Sequence, residues 1–213
     1  MTADSAYCFD TLATDTRWHE FRAAERRTVA AFVRRWRIQP GDRVLEPGCG
    51  SGRLTAMLAA LTGPAGRVVA FDSSPEFMRL VVRRRLPRHV TLHTARADTL
   101  PLAPASFDHV VCFNVFPHLV PQATMVRRFA AALRPGGVFW IAHTGSRQFV
   151  NAVHRSGPPS LHDHLLPAPR LLARLLRAAG LDEVEIEDRA DHFLARAINP
   201  THLPASLHAD GHA

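Results

Sequence analysis

The stretch "RVLEPGCGSGRLTAML", residues 43–58, decides the fold. It begins as a short apolar run typical of a buried strand and passes through three glycines in five residues. It then continues with apolar residues at helical spacing. Glycine adopts positive φ at low cost and lets a ligand approach the main chain where a Cβ would otherwise intervene. The stretch therefore predicts a strand, a loop and a helix, with the loop in contact with a cofactor.

The same alternation continues along the chain. Apolar strands are predicted at 67–72, 90–95, 107–115 and 138–144, with helical patterns between most of them, and two closing strands at 184–188 and 192–199. Strands separated by helices form right-handed crossover units in a parallel sheet. The predicted fold is α/β, a Rossmann-like, doubly wound and mainly parallel seven-stranded sheet with helices on both faces.

We predict a single domain over residues 1–199, because a chain of this length can build one sizeable core. Its predicted parts are an N-terminal helix at about 16–38, a cofactor-binding core at about 40–145, and a substrate-side segment with closing strands at about 146–199. Residues 200–213 contain too few apolar side chains to pack, which predicts a disordered tail.

The composition restricts the partners. The formal charge is +7 and every one of the 26 basic residues is arginine, so nucleic acid is a possible partner. The arginine clusters at 26–37 and 78–88 carry apolar residues at helical spacing, however, which favours solvated helix faces. Three cysteines without metal-ligand spacing favour a reducing cytoplasm. No apolar run approaches the ~20 residues of a membrane span, so no membrane association is expected. The oligomeric state is left open.

Spacing separates three kinds of nucleotide-binding loop. A dinucleotide fingerprint starting at Gly48 requires a glycine at position 53, where the chain has Arg53. A phosphate-binding P-loop requires a lysine, and the chain contains none. What remains is Glu-x-Gly-x-Gly-x-Gly from Glu46 onward. Asp72 ends the next strand 20 residues after Gly52, where a carboxylate can accept hydrogen bonds from ribose hydroxyls.

Residues 40–145 resemble the class I S-adenosylmethionine-dependent methyltransferases. The resemblance rests on the order and spacing of four segments: "VLEPGCGSG", "VVAFDSSPEFM", "ARADTLPLAPASFDHVVCFNVF" and "LRPGGVFWIAHT". It implies S-adenosylmethionine as methyl donor. It also implies that the backbone of Gly48, Cys49 and Gly50 contacts the methionine part, with Gly52 completing the loop. Glu46 would orient the amino-acid end of the cofactor.

The resemblance implies further cofactor contacts at or just after the carboxyl ends of later strands, where open α/β sheets place their crevice. Asp72 would hold the ribose, and Ser73 and Met78 would flank the adenosine. The other implied contacts are Ala97 and Asp98 at the adenine edge and Asn114 beneath the sulfonium.

Histidines are the candidate catalytic residues, because a hydroxyl or thiol acceptor must lose a proton and the imidazole pKa suits that task. His118 follows the fourth predicted strand and His143 ends the fifth. Asn151 and His154 are three residues apart, hence on one face of a predicted helix. A metal is the alternative explanation, since "HDH" at 162–164 with another histidine supplies three imidazoles. No residue pattern completes a metal site, so no metal is expected.

The predicted function is transfer of a methyl group to a small-molecule acceptor by in-line displacement. A nucleic-acid methyltransferase is the main alternative. Enzymes that methylate exocyclic base nitrogens commonly carry an Asn/Asp-Pro-Pro-aromatic motif after the fourth strand, and "FNVFPH" at 113–118 lacks the Pro-Pro pair. A non-catalytic protein that binds S-adenosylmethionine is the second alternative.

Overall fold

The computed structural model describes residues 10, 13–15 and 19–200. Seven strands form one sheet: β1 (Arg43–Pro47), β2 (Arg67–Asp72), β3 (Val90–Thr94), β4 (Phe107–Phe113), β5 (Leu133–His143), β6 (Asp182–Asp188) and β7 (Phe193–Ile198). Their order in the sheet is β3-β2-β1-β4-β5-β7-β6. Strands β1 to β5 pair in parallel, and β7 pairs antiparallel with both β5 and β6. The predicted fold class is confirmed.

Six α-helices surround the sheet in the described residues: α1 (Ala23–Trp36), α2 (Arg53–Thr62), α3 (Pro75–Arg83), α4 (Gln122–Ala132), α5 (Arg147–Ser156) and α6 (Pro169–Ala178). Apolar residues of α1, α2 and α3 share one core cluster with β1, β2 and β4. Residues of α4 and α6 form the other cluster with the opposite side chains of the sheet. Because side chains alternate across strands, the two clusters lie on opposite faces.

The direction of winding reverses between β1 and β4. These two strands are neighbours in the sheet, with β2 and β3 on one side and β5 on the other. Open parallel sheets bind ligands outside the carboxyl ends of the strands at such a switch point. The topology therefore positions a crevice above the glycine loop that follows β1.

Most observed boundaries lie within two residues of the sequence prediction, and two differ by more. The N-terminal helix, predicted at about 16–38, occupies Ala23–Trp36; residues 16–18 lie outside the described residues. It begins after Arg22, whose backbone N–H donates to Glu25. Strand β5 begins at Leu133, before the "RPGG" segment, because Leu133 pairs with Phe107 ahead of a register shift. The predicted tail lies outside the described residues except for Pro200.

None of the helices within the described residues combines the length and apolar character that crossing a membrane requires.

Candidate active site

A cavity of about 1000 Å³ opens at the carboxyl ends of β1, β2, β4 and β5. Its floor is the glycine loop after β1, and helix α5 with the turn that follows it forms the opposite wall. Specific small-molecule sites have volumes of roughly 300–1,000 Å³. The cavity can therefore hold a nucleoside cofactor and a second, smaller molecule.

The three glycines of the loop have different structural roles. Gly48 has a φ of +66°, and a Cβ there would lie 2.2 Å from Cγ2 of Val115. Gly50 has a φ of +53°, lines the cavity, and would project its Cβ into open space. Gly52 does not line the cavity; a Cβ there would lie 2.1 Å from Cγ2 of Val81, on α3. Gly48 and Gly50 shape the cavity floor, whereas Gly52 lets two helices pack closely.

Asp72 holds the loop in place at the end of β2. One carboxylate oxygen accepts from the backbone N–H of Gly50 at 2.9 Å, and the other accepts from that of Ser74 at 2.9 Å. The side chain lines the cavity, and burial raises its pKa above the ordinary value. Each carboxylate oxygen has a second lone pair, so Asp72 can accept hydrogen bonds from a ligand while it orients the loop.

Glu46 is a buried carboxylate with incomplete hydrogen bonding. It is 2% exposed, it lines the cavity, and its Oε2 has no partner among the described residues. Burial raises the pKa of Glu46 to about 8; the neighbouring Thr55 hydroxyl opposes the shift, and the negative charge of Asp72 adds to it. An unpaired buried acceptor is costly unless a donor or cation reaches it. The site is therefore built for a positively charged or donating ligand group beside Glu46.

The other predicted cofactor residues divide into two groups. Ser73, Ala97, Asp98 and Asn114 line the cavity together with Cys49. Met78, predicted to flank the adenosine, does not line it.

Met78 points from α3 into the core, where it is 5% exposed and its Sδ lies 3.9 Å from Sγ of Cys49. Burial raises the pKa of the Cys49 thiol well above its ordinary value. A thiol that stays protonated is a poor nucleophile. Cys49 therefore contributes backbone and packing to the loop.

Asn114 connects the ends of β4 and β5. Its Oδ1 accepts from the backbone N–H of Thr144 at 3.1 Å, and its Nδ2 donates to Oγ1 of the same residue at 3.4 Å. The residue has a φ of +52°, a left-handed conformation that asparagine tolerates better than most residues. The bonds join two adjacent strand ends where both line the cavity.

The three predicted catalytic histidines all line the cavity. The ring centroids of His118 and His154 are 4.7 Å apart. Burial lowers the pKa of His118 well below its ordinary value and lowers that of His154. It lowers the pKa of His143 to about 3, and Nε2 of His143 has no partner among the described residues. At neutral pH these rings are therefore uncharged, and each has one ring nitrogen that carries a lone pair.

The "HDH" segment splits in the structure. Nδ1 of His164 lies 3.1 Å from Nδ1 of His118, whereas Nε2 of His162 lies 3.0 Å from the backbone oxygen of Gly157. Residues 10, 13–15 and 19–200 contain no group of three or more side chains arranged to hold a metal ion. His118, His154 and His164 thus form a histidine cluster, to which His162 does not belong.

The comparisons with known proteins agree with this geometry. The family model described as a methyltransferase domain matches residues 44–137. The ubiquinone biosynthesis O-methyltransferase of Burkholderia pseudomallei (strain 1710b) is 30% identical over 169 residues, which cover 74% of this chain and 72% of that relative. The chain belongs to the class I S-adenosylmethionine-dependent methyltransferases. The predicted family and enzyme class are confirmed.

Solved structures share the fold of this methyltransferase. The methyltransferase solved with the Haloferax volcanii Trm112 methyltransferase activator has a TM-score of 0.74 at 21% identity, over 90% of this chain and 97% of that chain. An S-adenosylmethionine-dependent methyltransferase from Aquifex aeolicus has a TM-score of 0.67 at 18% identity, over 91% and 97% of the two chains. At these identities the similarity shows the fold alone.

Sequence reasoning missed a charged group beside the methyltransferase's glycine loop. Arg22, Glu25 and Arg53 line the cavity, with Nη1 of Arg53 3.7 Å from Oε2 of Glu25. The Arg53 guanidinium lies 4.5 Å from the ring centre of Phe21, within cation–π range. The sequence does draw attention to Arg53, because it stands where a dinucleotide-binding loop requires glycine. Its pairing with the N-terminal segment could not be seen from local pattern.

Proposed function

We propose that this methyltransferase transfers a methyl group from S-adenosylmethionine to a hydroxyl of a small, uncharged, largely apolar molecule, and not to nucleic acid. The observation that carries the proposal is the distribution of charge around the cavity. Every charged side chain among the described lining residues comes from residues 22–98, the part that precedes β4. The described lining residues from 113 onward include no aspartate, glutamate or arginine.

The uncharged half is mostly apolar. Its wall consists of the strand end and turn after β4, helix α4, helix α5 and the turn after α5. The apolar side chains on this wall are Phe113, Val115, Leu119, Val120, Met125, Phe149, Val150, Val153 and Leu161. A carboxylate or phosphate enclosed there would lose its hydration without meeting a cation, at a cost of several kcal/mol. An anionic acceptor, including a nucleic acid backbone, is therefore disfavoured.

The charged half fits the methyl donor. The unpaired Oε2 of Glu46 would accept from the cofactor's α-ammonium group, and the open space beside Gly50 would admit its methionine chain. Asp72 would accept hydrogen bonds from ribose hydroxyls, and Ser73, Ala97 and Asp98 would border the adenosine. Asn114 would form the floor at the boundary between the two halves. When bound, the cofactor supplies an activated methyl group on a sulfonium.

The choice of oxygen as the methylated atom rests on the neutral histidines and on the relatives. A hydroxyl acceptor must lose a proton as it attacks, and the uncharged half contains three neutral histidines, His118, His143 and His154, of which His154 is the most exposed to solvent and to proton exchange. The Burkholderia relative is named an O-methyltransferase. Positioning accounts for most of the remaining rate, since holding two reactants at near-attack distance can supply roughly 7–11 kcal/mol.

The test is a matched set of acceptors: catechol, its 4-carboxylate, 1,2-phenylenediamine and benzene-1,2-dithiol, with single-stranded RNA as a further acceptor. The measurement is formation of S-adenosylhomocysteine and identification of the methylated product. Catechol is expected to give the highest kcat/KM, with the carboxylate at least about 100-fold lower because its charge is buried without a partner. Preference for the carboxylate, the diamine, the dithiol or RNA would refute the proposal.

We also propose a cytoplasmic location. Cys49 and Cys112 are free and buried, which is usual for proteins of reducing compartments. Fractionation of the producing cells, with the chain found in a periplasmic or secreted fraction, would contradict this.

A further inference from the structure

The structure fixes the tautomer of one histidine of the cluster. Nδ1 of His154 is hydrogen bonded to the backbone carbonyl oxygen of His164. A carbonyl oxygen only accepts hydrogen bonds, so Nδ1 carries the ring proton and donates it. In a neutral imidazole the other nitrogen, Nε2, then carries the lone pair. His154 is therefore held in the form whose Nε2 can take a proton.

The position of His154 also favours the charged product of that step. The residue lies in the last turn of α5, where the partial negative charge of the helix end stabilises a cation. The bond from Nδ1–H to the carbonyl raises the pKa of His154 and partly opposes the effect of burial. His118, His143 and His164 are the titratable groups that face it from the neighbouring elements.

His118 and His143 are less suited to become charged. Nδ1 of His118 is hydrogen bonded to Nδ1 of His164. Either nitrogen can be the donor, so this contact does not fix the tautomer of His118 as the carbonyl fixes that of His154. His143 is fully enclosed at the end of β5, and its ring meets the edge of Phe193 with centroids 6.4 Å apart. An imidazolium at that site would be buried against apolar surface, which is unfavourable. These two rings suit a role in orienting the acceptor's polar group.

The loop that carries the His164 carbonyl is held by Asn151, one helical turn before His154, through Leu166. Asn151 is 3% exposed and does not line the cavity. Its Nδ2 donates to the backbone oxygen of Leu166 at 3.0 Å, and its Oδ1 accepts from the backbone N–H of the same residue at 2.8 Å. Helix α5 is thus hydrogen bonded to the loop at two points, from Asn151 to Leu166 and from His154 to His164.

We propose that His154 is the base that removes the acceptor's proton and that Asn151 positions it by fixing the loop that carries the His164 carbonyl. The inference rests on the proposed hydroxyl acceptor. The hydroxyl proton moves to Nε2 of His154, and the oxygen's electron pair forms the new bond to the methyl carbon. The carbon–sulfur bond breaks and its electron pair goes to sulfur. The imidazolium then releases its proton to water, so the net products are methyl ether, S-adenosylhomocysteine and one proton.

The first test reads the tautomer directly and needs no acceptor. Long-range ¹H–¹⁵N correlation spectra of the labelled full chain distinguish Nδ1–H from Nε2–H histidines, and the His154→Gln variant assigns the His154 signals by difference. The wild type is expected to show the Nδ1–H form, and Asn151→Ala is expected to lose it. Alanine is the best helix former, so this substitution removes the amide without weakening α5. An Nε2–H form of His154 in the wild type would overturn the inference.

The second test is kinetic. His154→Gln is expected to lower kcat by about 10²–10⁴-fold with a hydroxyl acceptor. That loss should shrink to less than about 10-fold with a nitro-substituted catechol that ionises without help. Asn151→Ala is expected to lower kcat by about 10-fold or more while changing the cofactor Kd less than about twofold, because displaced catalytic groups slow the reaction step. If the alanine variant does not fold, Asn151→Asp replaces it in the same assays, because it keeps the acceptor for the Leu166 N–H.

The control is Gln148→Ala, at an exposed position on α5 outside the cavity lining, which is expected to match the wild type in rate and tautomer. Hydroxyl methylation at the wild-type rate in His154→Gln, or in folded Asn151→Ala, would overturn the inference. Failure of the proposed function looks different. In that case the wild type would prefer an amine, a thiol or a charged acceptor, while His154 would still show the Nδ1–H form that Asn151→Ala removes.

Discussion

Replacing Glu46 by glutamine should stabilise the ligand-free protein at alkaline pH and weaken the binding of S-adenosylmethionine. The carboxylate is almost fully buried, and burial raises its pKa from 4.5 to about 8. Between these two values the folded protein keeps a proton that the unfolded chain releases. Stability therefore falls as pH rises through this window, at about 1.4 kcal/mol per pH unit.

The size of the effect follows from the width of the window. A shift of 3.5 pH units, from 4.5 to about 8, corresponds to a loss of about 5 kcal/mol in the free energy of unfolding. Glutamine avoids this loss but brings an N–H group that needs a partner, at a cost of about 1–3 kcal/mol. The net advantage of the variant above pH 8 is then about 2–4 kcal/mol. For a domain of this size it corresponds to a rise in Tm of roughly 4–16 °C.

The assay is thermal or urea unfolding of both proteins from pH 4.5 to 9 without cofactor. The difference in unfolding free energy should grow in favour of Glu46→Gln up to about pH 8 and then level off. Glu76→Gln, on the exposed face of α3, controls for the loss of one surface carboxylate. Parallel curves for wild type and Glu46→Gln across this range would refute the reasoning.

The same carboxylate links cofactor binding to proton release. At pH 7 a group with a pKa of about 8 is mostly protonated, and an ammonium group beside it would drive ionisation. Calorimetry in buffers of different ionisation enthalpy should detect release of about 0.9 proton on binding. Glu46→Gln should bind more weakly and release none from this site. Equal proton release by both proteins would show that the cofactor's ammonium group lies elsewhere.

Three other predictions concern the loop and the cavity. Asp72→Ala should weaken S-adenosylmethionine binding by about 1.5–3 kcal/mol in calorimetry, because a charged acceptor is lost; an unchanged Kd would contradict this. Gly50→Ala should fold but bind cofactor poorly, since its Cβ enters the cavity, whereas Gly52→Ala should lose roughly 2–5 kcal/mol of stability to strain and to collision with Val81. The reverse ranking in unfolding and binding assays would refute the division of roles. His143→Gln should flatten acid destabilisation: with a folded pKa of about 3, wild-type stability is full above pH 6.5 and falls by about 1.4 kcal/mol per unit below it. Curves of equal slope would exclude this.

Much of the fold could be predicted because its signals are local. The predicted β2, at 67–72, has the observed bounds, since its apolar run is closed by glycine on one side and by a serine N-cap on the other. The start of β5 was missed because glycine and proline usually end a strand pattern. There the pairing of Leu133 with Phe107, across a register shift, outweighs local preference. Pairing between distant segments leaves no mark in a short window of sequence.

The charged half of the cavity could be outlined for the same reason. The spacing singles out Gly48, Gly50 and Asp72, and the family resemblance singles out residues such as Asp98; all four line the cavity. Met78 shows the limit of that reasoning. On α3 the preceding residue, Phe77, lines the cavity, whereas Met78 turns into the core and packs against Cys49. Spacing predicts which residues lie near a site but not which way a helix turns each side chain.

The uncharged half of the cavity depends on contacts that no local pattern encodes. His118 and His164 meet across 46 residues, and Asn151 meets Leu166 across 15. Asn151 and His154 could be placed on one helical face from their spacing, yet only the folded loop shows that one holds backbone and the other faces the cavity. The strands bring the glycine loop and Asp72 together because β1 and β2 are neighbours. The segment after β5 is free of that constraint, so it can form the uncharged wall of the cavity without disturbing the glycine loop. This division explains why the reaction type is readable from sequence while the acceptor must be inferred from the cavity wall.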